Sequence, residues 1–487
     1  MALSPSEKMT SGVPGLDRVL GGGLRPGHLY FVEGEPGSGK TTLGLQFAVE
    51  GLRRGESSLV VSMAESAEEI ATIAESHGLT LDGVAVRDLG APGAVRSTAL
   101  FELSEVELDD RVQAIIDEMD NLKPQRFVLD TLAALRAFSS QRGQFRRHVE
   151  QFRSKALELG TTMLITDELT GTDDLHPRSL AWGVVRLEQR LSDYGPPRRR
   201  LWVPKLRGQA FAGGYHDMRI ISGGVQVFPR LDSRLPSPPF ESAQLTSGIP
   251  GIDTLLGGGV EPGTSLGIIG PPGCGKSTVA CNFALAATAR GERAVLYAFD
   301  ESLDTLRLRA CSQGLDLDTP IASGLLQLRQ VDPAELSPGE LSQELAEEVL
   351  ERGTRLIVID SLNGYLQAMP DERFMNLHVH SLLSWLGKRG VLTLLTLAQP
   401  SPLTKQEGLT VDLSYLTDTV IAQRYFEAYG SLRHAISVMK KRYGNHERMI
   451  REYRITDSGI EVGEPLSEFR GVLSGIPEYI GKQKPLL

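Results

Sequence analysis

The sequence is poor in cysteine. It has three in 487 residues, Cys274, Cys281 and Cys311, and they lack the paired spacing of a zinc site, so they read as reduced thiols. No apolar run approaches the roughly 20 residues that span a bilayer. The stretch Met1 to Lys8 lacks the apolar core of a secretory signal. These absences exclude a membrane or disulfide-framework reading and give the cytoplasm as the expected location. Positive charge is also in deficit: the net charge is −10, which argues against a broad polyanion-binding surface but leaves room for a local basic channel. The length allows about two to four domains, each with its own core.

What the chain does have, it has twice. Gly34-Glu35-Pro36-Gly37-Ser38-Gly39-Lys40-Thr41 and Gly270-Pro271-Pro272-Gly273-Cys274-Gly275-Lys276-Ser277 both fit the G-x-x-x-x-G-K-[ST] phosphate loop. The glycines let backbone N–H groups turn inward as an anion nest. The helix that follows points its positive end at the same phosphates, with Thr42 and Thr278 in its first turn. Lys40 and Lys276 would reach the β- and γ-phosphates of ATP, and Thr41 and Ser277 would hold Mg²⁺. Each loop follows an apolar run and precedes a helical pattern, which is the context that the motif requires.

The repetition extends beyond the loops. Thr10-Ser11-Gly12-Val13-Pro14-Gly15-Leu16-Asp17 returns as Thr246-Ser247-Gly248-Ile249-Pro250-Gly251-Ile252-Asp253, at the same offset that separates Lys40 from Lys276. Two copies indicate a tandem domain duplication, with expected domains 1–230 and 244–487. The proline-rich run from Phe228 to Ala243 reads as the exposed linker. Within each copy, apolar runs alternate with amphipathic helical stretches. Ser58–Ser62, Arg126–Asp130 and Thr162–Thr166 are strand candidates in the first copy; Ala294–Ala298, Leu356–Asp360 and Leu392–Thr396 match them in the second. This pattern predicts an α/β fold with mostly parallel central sheets covered on both faces. Ligands on such sheets bind beyond the carboxyl ends of the strands.

Acids stand at those ends. Asp130 and Asp360 each close an apolar run and precede Thr131 or Ser361. This is the position from which a carboxylate orients a Mg²⁺ shell, although a helix N-cap is the plainer reading of either acid alone. A second acidic position follows an earlier strand: Ala64-Glu65 in the first copy, Asp300-Glu301 in the second. A carboxylate there can take a proton from an attacking water or hydroxyl. Because the copies differ, their turnover is expected to differ.

The repeated Thr-Ser-Gly-(Val/Ile)-Pro-Gly-(Leu/Ile)-Asp block, running through Gly-Gly-Gly into a phosphate loop, resembles the RecA-like group that contains KaiC and RadA. Two full copies, Lys205-Leu206-Arg207-Gly208, and Leu416-Thr417-Asp418-Thr419 with Lys440-Lys441-Arg442 narrow the resemblance to KaiC-like proteins. It implies two RecA-like P-loop NTPase domains in an ATP-dependent homohexamer, with nucleotide at subunit boundaries. The first domain would act as an ATPase and the second as an autokinase. Lys205, Leu206 and Arg207, and Lys440, Lys441 and Arg442, would contact a neighbour's nucleotide, where cations stabilise charge developing on the γ-phosphate. Ser414 falls on the first position of the family's phosphorylated pair, with Tyr415 in place of threonine. Glu65, Asp300 and Glu301 fall on the paired glutamates, and Ala64 cannot serve as a base. The sequence that follows Pro477 is short, which argues against a KaiA partner; a KaiB-like partner on the first domain stays open, with Phe101–Asp110 the vaguest of candidate surfaces.

Two other classes compete. A RecA- or RadA-like DNA motor would want a basic channel with stacking aromatics, for which Arg198-Arg199-Arg200 with Trp202 and Lys440-Lys441-Arg442-Tyr443 are the available clusters. A nucleotide-gated scaffold without catalysis is motivated by Ala64 and Tyr415. RecA-like folds host many functions, so fold cannot decide among them.

Overall fold

The computed structural model describes residues 8–90, 103–136, 142–168, 176–191, 195–232, 239–240, 243–332, 334–367, 375–398, 413–428, 430–472 and 477–481. The chain divides into two compact units, Met1–Arg230 and Leu231–Leu487. Among the described residues, no helix is long and apolar enough to cross a membrane.

The first unit is built on β1 (Leu29–Gly34), β2 (Ser58–Ser62), β3 (Ala85–Asp88), β4 (Arg126–Asp130), β5 (Thr162–Glu168), β6 (Gly183–Arg190), β7 (Arg198–Leu206), β8 (His216–Ile221) and β9 (Gly224–Phe228). They form one sheet in the order β3-β2-β4-β5-β1-β6-β7-β8-β9. Strands from β3 to β6 pair in parallel, and β6 to β9 continue as an antiparallel ribbon. The second unit repeats this plan with β10 (Ser265–Gly270), β11 (Ala294–Ala298), β12 (Leu326–Gln330), β13 (Leu356–Asp360), β14 (Leu392–Ala398), β15 (Thr419–Ala428), β16 (Ser431–Lys441), β17 (Arg451–Thr456) and β18 (Gly459–Pro465). Its order is β12-β11-β13-β14-β10-β15-β16-β17-β18, strand for strand that of the first.

Burial explains why the parallel strands read as unbroken apolar runs. Every residue of β1, β2, β4, β10, β11 and β13 is buried, because helices cover both faces. Separate apolar clusters lie on the two faces, around Val60, Val128 and Leu164 on one side of the first sheet and Leu59, Leu129 and Ile165 on the other. Each such side chain contributes about 1.5–3 kcal/mol. Sequence and structure differ at Phe228: it is the last residue of β9 and is buried, so the first sheet extends into the segment expected to be linker. Val225 and Val227 alternate into the core, and Phe228 is buried at the strand's end. Of that expected linker, residues 233–238 and 241–242 lie outside the described residues.

The repeated Thr-Ser-Gly block has a structural role in both units. Asp17 accepts a bond from the Ser11 N–H at 2.9 Å, and Asp253 one from Ser247 at 2.6 Å. Each serine hydroxyl in turn accepts the N–H two residues on, from Val13 and from Ile249. The turn is tied down before the first strand begins.

The units differ at the base of the third strand from the sheet edge. Arg126 opens β4 with a side chain out of reach of solvent; it donates to Glu56 at 2.5 Å, the Thr10 carbonyl at 2.8 Å and the Phe47 carbonyl at 3.0 Å. It also lies over the Phe47 ring at 4.7 Å. The same register in the second unit holds Leu356. Removing one partner of a buried ion pair strands the other, at a cost of about 3–5 kcal/mol. Arg126→Ala should therefore lower the stability of the first unit by that amount, read as a shifted urea midpoint with an unchanged slope; an unshifted midpoint would refute the role assigned to Arg126.

Candidate functional site

Both phosphate loops leave the carboxyl end of the central strand, β1 or β10, which is flanked by two parallel neighbours. Gly39 and Gly275 close the loops at the N-caps of helices Lys40–Arg53 and Lys276–Ala289, with φ of 101° and 91°. Any side chain there would be strained, and a Cβ would also meet Ile220 Cδ1 at 2.8 Å or Ile455 Cδ1 at 2.5 Å. Gly37 and Gly273 share the left-handed geometry, and Gly34 and Gly270 end the strands. The four free N–H groups of each helix start thus face one concavity.

The loop lysines are drawn inward. Lys40 Nζ donates to the carbonyls of Gly34 and Glu35, each at 2.9 Å; Lys276 Nζ donates to those of Gly270 at 3.0 Å and Pro271 at 2.8 Å. Burial lowers the pKa of both ammonium groups, against the pull of nearby acids. Ser38 and Cys274 occupy the same buried loop position. The Ser38 hydroxyl has no partner, whereas Cys274 Sγ lies 3.5 Å from Gln423 Oε1 and burial pushes its thiol pKa up.

The residues after the lysines meet the strand-end acids. Thr41 Oγ1 donates to Asp130 Oδ2 at 2.7 Å, and Ser277 bonds the Asp360 carboxylate. The other oxygen of each acid accepts from a threonine on the neighbouring strand, Thr166 or Thr396. These two threonines escaped the sequence reading; their place in otherwise apolar runs was the available sign. Burial raises the pKa of Asp360. Thr42 is buried behind Thr41, and Thr278 donates to Gln313 at 2.9 Å.

The second acidic position diverges between the units. Glu65 is half-buried, its Oε2 has no partner, and burial with Asp130 nearby raises its pKa. Glu301, at the matching position, is held by a two-pronged ion pair from Arg309. Arg309 Nη1 also lies 3.5 Å from Thr278 Oγ1. Asp300 is taken as an acceptor by the Ser361 hydroxyl. Ser414 stands in a short helix, Leu413–Leu416, but its side chain lies outside the described residues. Tyr415 is exposed and stacks on His380 with centroids 5.6 Å apart.

The basic residues sort differently from expectation. Lys205 Nζ donates to the carbonyls of Arg178 at 2.8 Å and Ser179 at 3.0 Å, and Arg207 donates to Ser179 at 3.0 Å. Leu206 is part-buried against the first core. Lys440 donates to the Thr417 carbonyl at 2.6 Å, and Arg442 pairs with Asp418 at 2.9 Å while half of its side chain stays exposed. Lys441 is a correction. Its ammonium is buried inside its own unit on the carbonyls of Leu256 and Gly259, each at 2.8 Å, with Glu261 at 3.4 Å. As alternate β16 residues face opposite sides of the sheet, Lys441 cannot point outward with Lys440, and it is removed from the nucleotide contacts. Of the clusters that a DNA motor would use, Arg200 is spent on Glu188 and stacks on Tyr215 at 3.7 Å.

Among the described residues, no group of three or more His, Cys, Asp or Glu could hold a metal by itself. Each site instead offers one hydroxyl and one carboxylate. That donor set suits Mg²⁺, which keeps several waters and shares phosphate oxygens.

Comparison with known proteins agrees with this geometry. The chain is similar to the circadian clock protein KaiC3 of Synechocystis sp., 26% identical over 495 residues, covering 98% of this chain and 96% of that protein. It is similar to the circadian clock oscillator protein KaiC of Acaryochloris marina, 27% identical with 97% and 92% covered. For the protein of that name from Prochlorococcus marinus the values are 25%, 97% and 96%. The family model described as the KaiC ATPase matches residues 9–232 and again 245–467, and the chain therefore belongs to the KaiC family of ATPases.

Proposed function

We propose that the protein binds ATP with Mg²⁺ at both loops, hydrolyses it, and phosphorylates itself at Ser414, as a cytoplasmic homohexamer serving signalling or timing. The observation that carries this reading is the hydroxyl–carboxylate pair in front of each loop, Thr41 with Asp130 at 2.7 Å and Ser277 with Asp360. Those four side chains would hold the ion, which would supply positive charge against the transferring phosphoryl group. The helix N-termini and the lysines Lys40 and Lys276 bind the phosphate oxygens. Glu65 Oε2 takes the proton of the attacking water, whose oxygen bonds to the γ-phosphorus as the bond to the leaving ADP oxygen breaks. Its raised pKa makes it a better proton acceptor. In the second unit the Ser414 hydroxyl takes the place of water, with Asp300 or Glu301 as base.

Lys205 and Arg207, and Lys440 and Arg442, would reach the nucleotide of a neighbouring subunit and stabilise the charge developing there, while Leu206, its side chain packed on its own core, would offer backbone alone. The timing role rests on the names of the relatives, which are clock proteins; a KaiB-like partner rests on the family resemblance of the sequence. The domain limits 1–230 and 244–487 belong to the same reading.

The Arg309–Glu301 pair favours a slower second site, since a base committed to a guanidinium is a poor proton acceptor. The first unit has Ile73 at the corresponding place.

Lys40→Ala should remove hydrolysis at the first site and Lys276→Ala nucleotide binding at the second, each leaving the other site intact; equal loss in both would contradict separate sites. Incubation with γ-labelled ATP should label the wild type, and Ser414→Ala should remove most of the label, read by mass spectrometry. In a Lys40→Ala background, Arg309→Ile should raise phosphate release by on the order of tenfold, and an unchanged rate would show that the ion pair does not restrain Glu301.

A further inference from the structure

At the end of its central strand the first sheet buries an ion-pair network where the matching register of the second holds apolar side chains. Glu33, the residue before Gly34 of the phosphate loop, is 1% exposed, yet carries a carboxylate. Its oxygens accept from Arg178 Nε at 2.5 Å and Arg186 Nη2 at 3.1 Å. Beside it in register, Asp167 on β5 pairs with Arg136 at 2.6 Å, and burial raises the Asp167 carboxyl to about 6. In the second unit the matching register places Ile269 against Leu397 and Ala422. Those residues belong to an ordinary apolar cluster, so the fold does not require charge at this point.

The network leads somewhere specific. Arg178 lies in the short helix His176–Leu180. The carbonyls of Arg178 and Ser179 in that helix receive Lys205 Nζ and Arg207 Nη2. A continuous set of bonds thus runs from the first residue of the phosphate loop, through Glu33 and Arg178, to the two outward cations. A buried charge pair is costly to leave half-made, so its partners move together or not at all. A helix of five residues has no stiffness of its own to resist such a pull.

We infer that Glu33 and Arg178 are positioning residues that tie the phosphate loop of one subunit to the Lys205–Arg207 pair serving the next subunit's nucleotide. The inference rests on the ring reading above. It assigns the first unit a device by which occupancy of one site sets the cations offered to another. In the second unit, Lys440 donates to the Thr417 carbonyl and Arg442 to Asp418, whose other oxygen accepts from Ser265 at the start of β10 rather than from an arginine at its end.

The test is a double-mutant cycle on first-site hydrolysis in full-length protein carrying Lys276→Ala. Glu33→Gln should lower kcat about tenfold, with the Kd for a non-hydrolysable ATP analogue changed less than twofold. In a Lys205→Ala/Arg207→Ala background the same substitution should cause no further loss, because Glu33 acts through those cations. A tenfold loss in both backgrounds, an unchanged kcat, or a loss confined to affinity would overturn the inference. If Lys205→Ala/Arg207→Ala itself leaves hydrolysis unchanged, the trans-acting cations fail, and the inference with them. Should Glu33→Gln not fold, Glu33→Ile with Arg186→Ala, which copies the second unit's Ile269 and Ala422, enters the same cycle with the same expectations.

Discussion

A short hydroxyl and a strand-end carboxylate must meet in front of a helix N-terminus, and the rest of each unit is arranged so that they do. Thr41 and Asp130 come from segments 89 residues apart, yet lie 2.7 Å from each other. β4 and β1 are not neighbours; β5 runs between them and supplies Thr166, which bonds the far oxygen of Asp130. The carboxylate is therefore oriented from both sides before any ligand arrives. Such preorganisation is what makes a polar group effective in a water-poor site. The second unit repeats the trio with Ser277, Asp360 and Thr396.

Around that shared centre the units have drifted apart in charge rather than in shape. Their strand orders coincide. The first unit places Arg126, Glu33, Arg186 and Asp167 where the second has Leu356, Ile269, Ala422 and Leu397. At the acidic position the bias reverses, and the second unit gains Arg309 against its glutamate while the first sets no cation against Glu65 Oε2, which has no partner. Packing tolerates either solution, but the electrostatic surroundings of the two nucleotide sites are not interchangeable.

Much of this could be read from the sequence, and for physical reasons. The phosphate loops, the apolar strands and the acids that end them are local patterns, each set by the needs of a few consecutive residues. The doubling was plain because the Thr-Ser-Gly turn and the loop repeat at one spacing. What escaped depended on contacts between distant segments. Arg309 sits eight residues past Glu301 and looks like any helix-surface arginine until the helix turns it back onto that carboxylate. Lys441 reads as one of three outward cations, but strand alternation sends it into the carbonyls of Leu256 and Gly259. Glu33 hides in an apolar run because its partners, Arg178 and Arg186, are 145 and 153 residues away.

The way each unit closes has its own consequence. In the first, the Val227 N–H of the final strand donates to the Pro14 carbonyl in the opening turn at 2.9 Å. In the second, Gly251 of the opening turn packs so tightly on Val462 of the last ribbon strand that a Cβ would come within 2.4 Å of it. In each unit the opening turn and the last ribbon strand therefore lie against each other. A duplicate appended there inherits a finished architecture and need not re-route either chain, so the ancestral gene could double in one event and let its halves specialise afterwards.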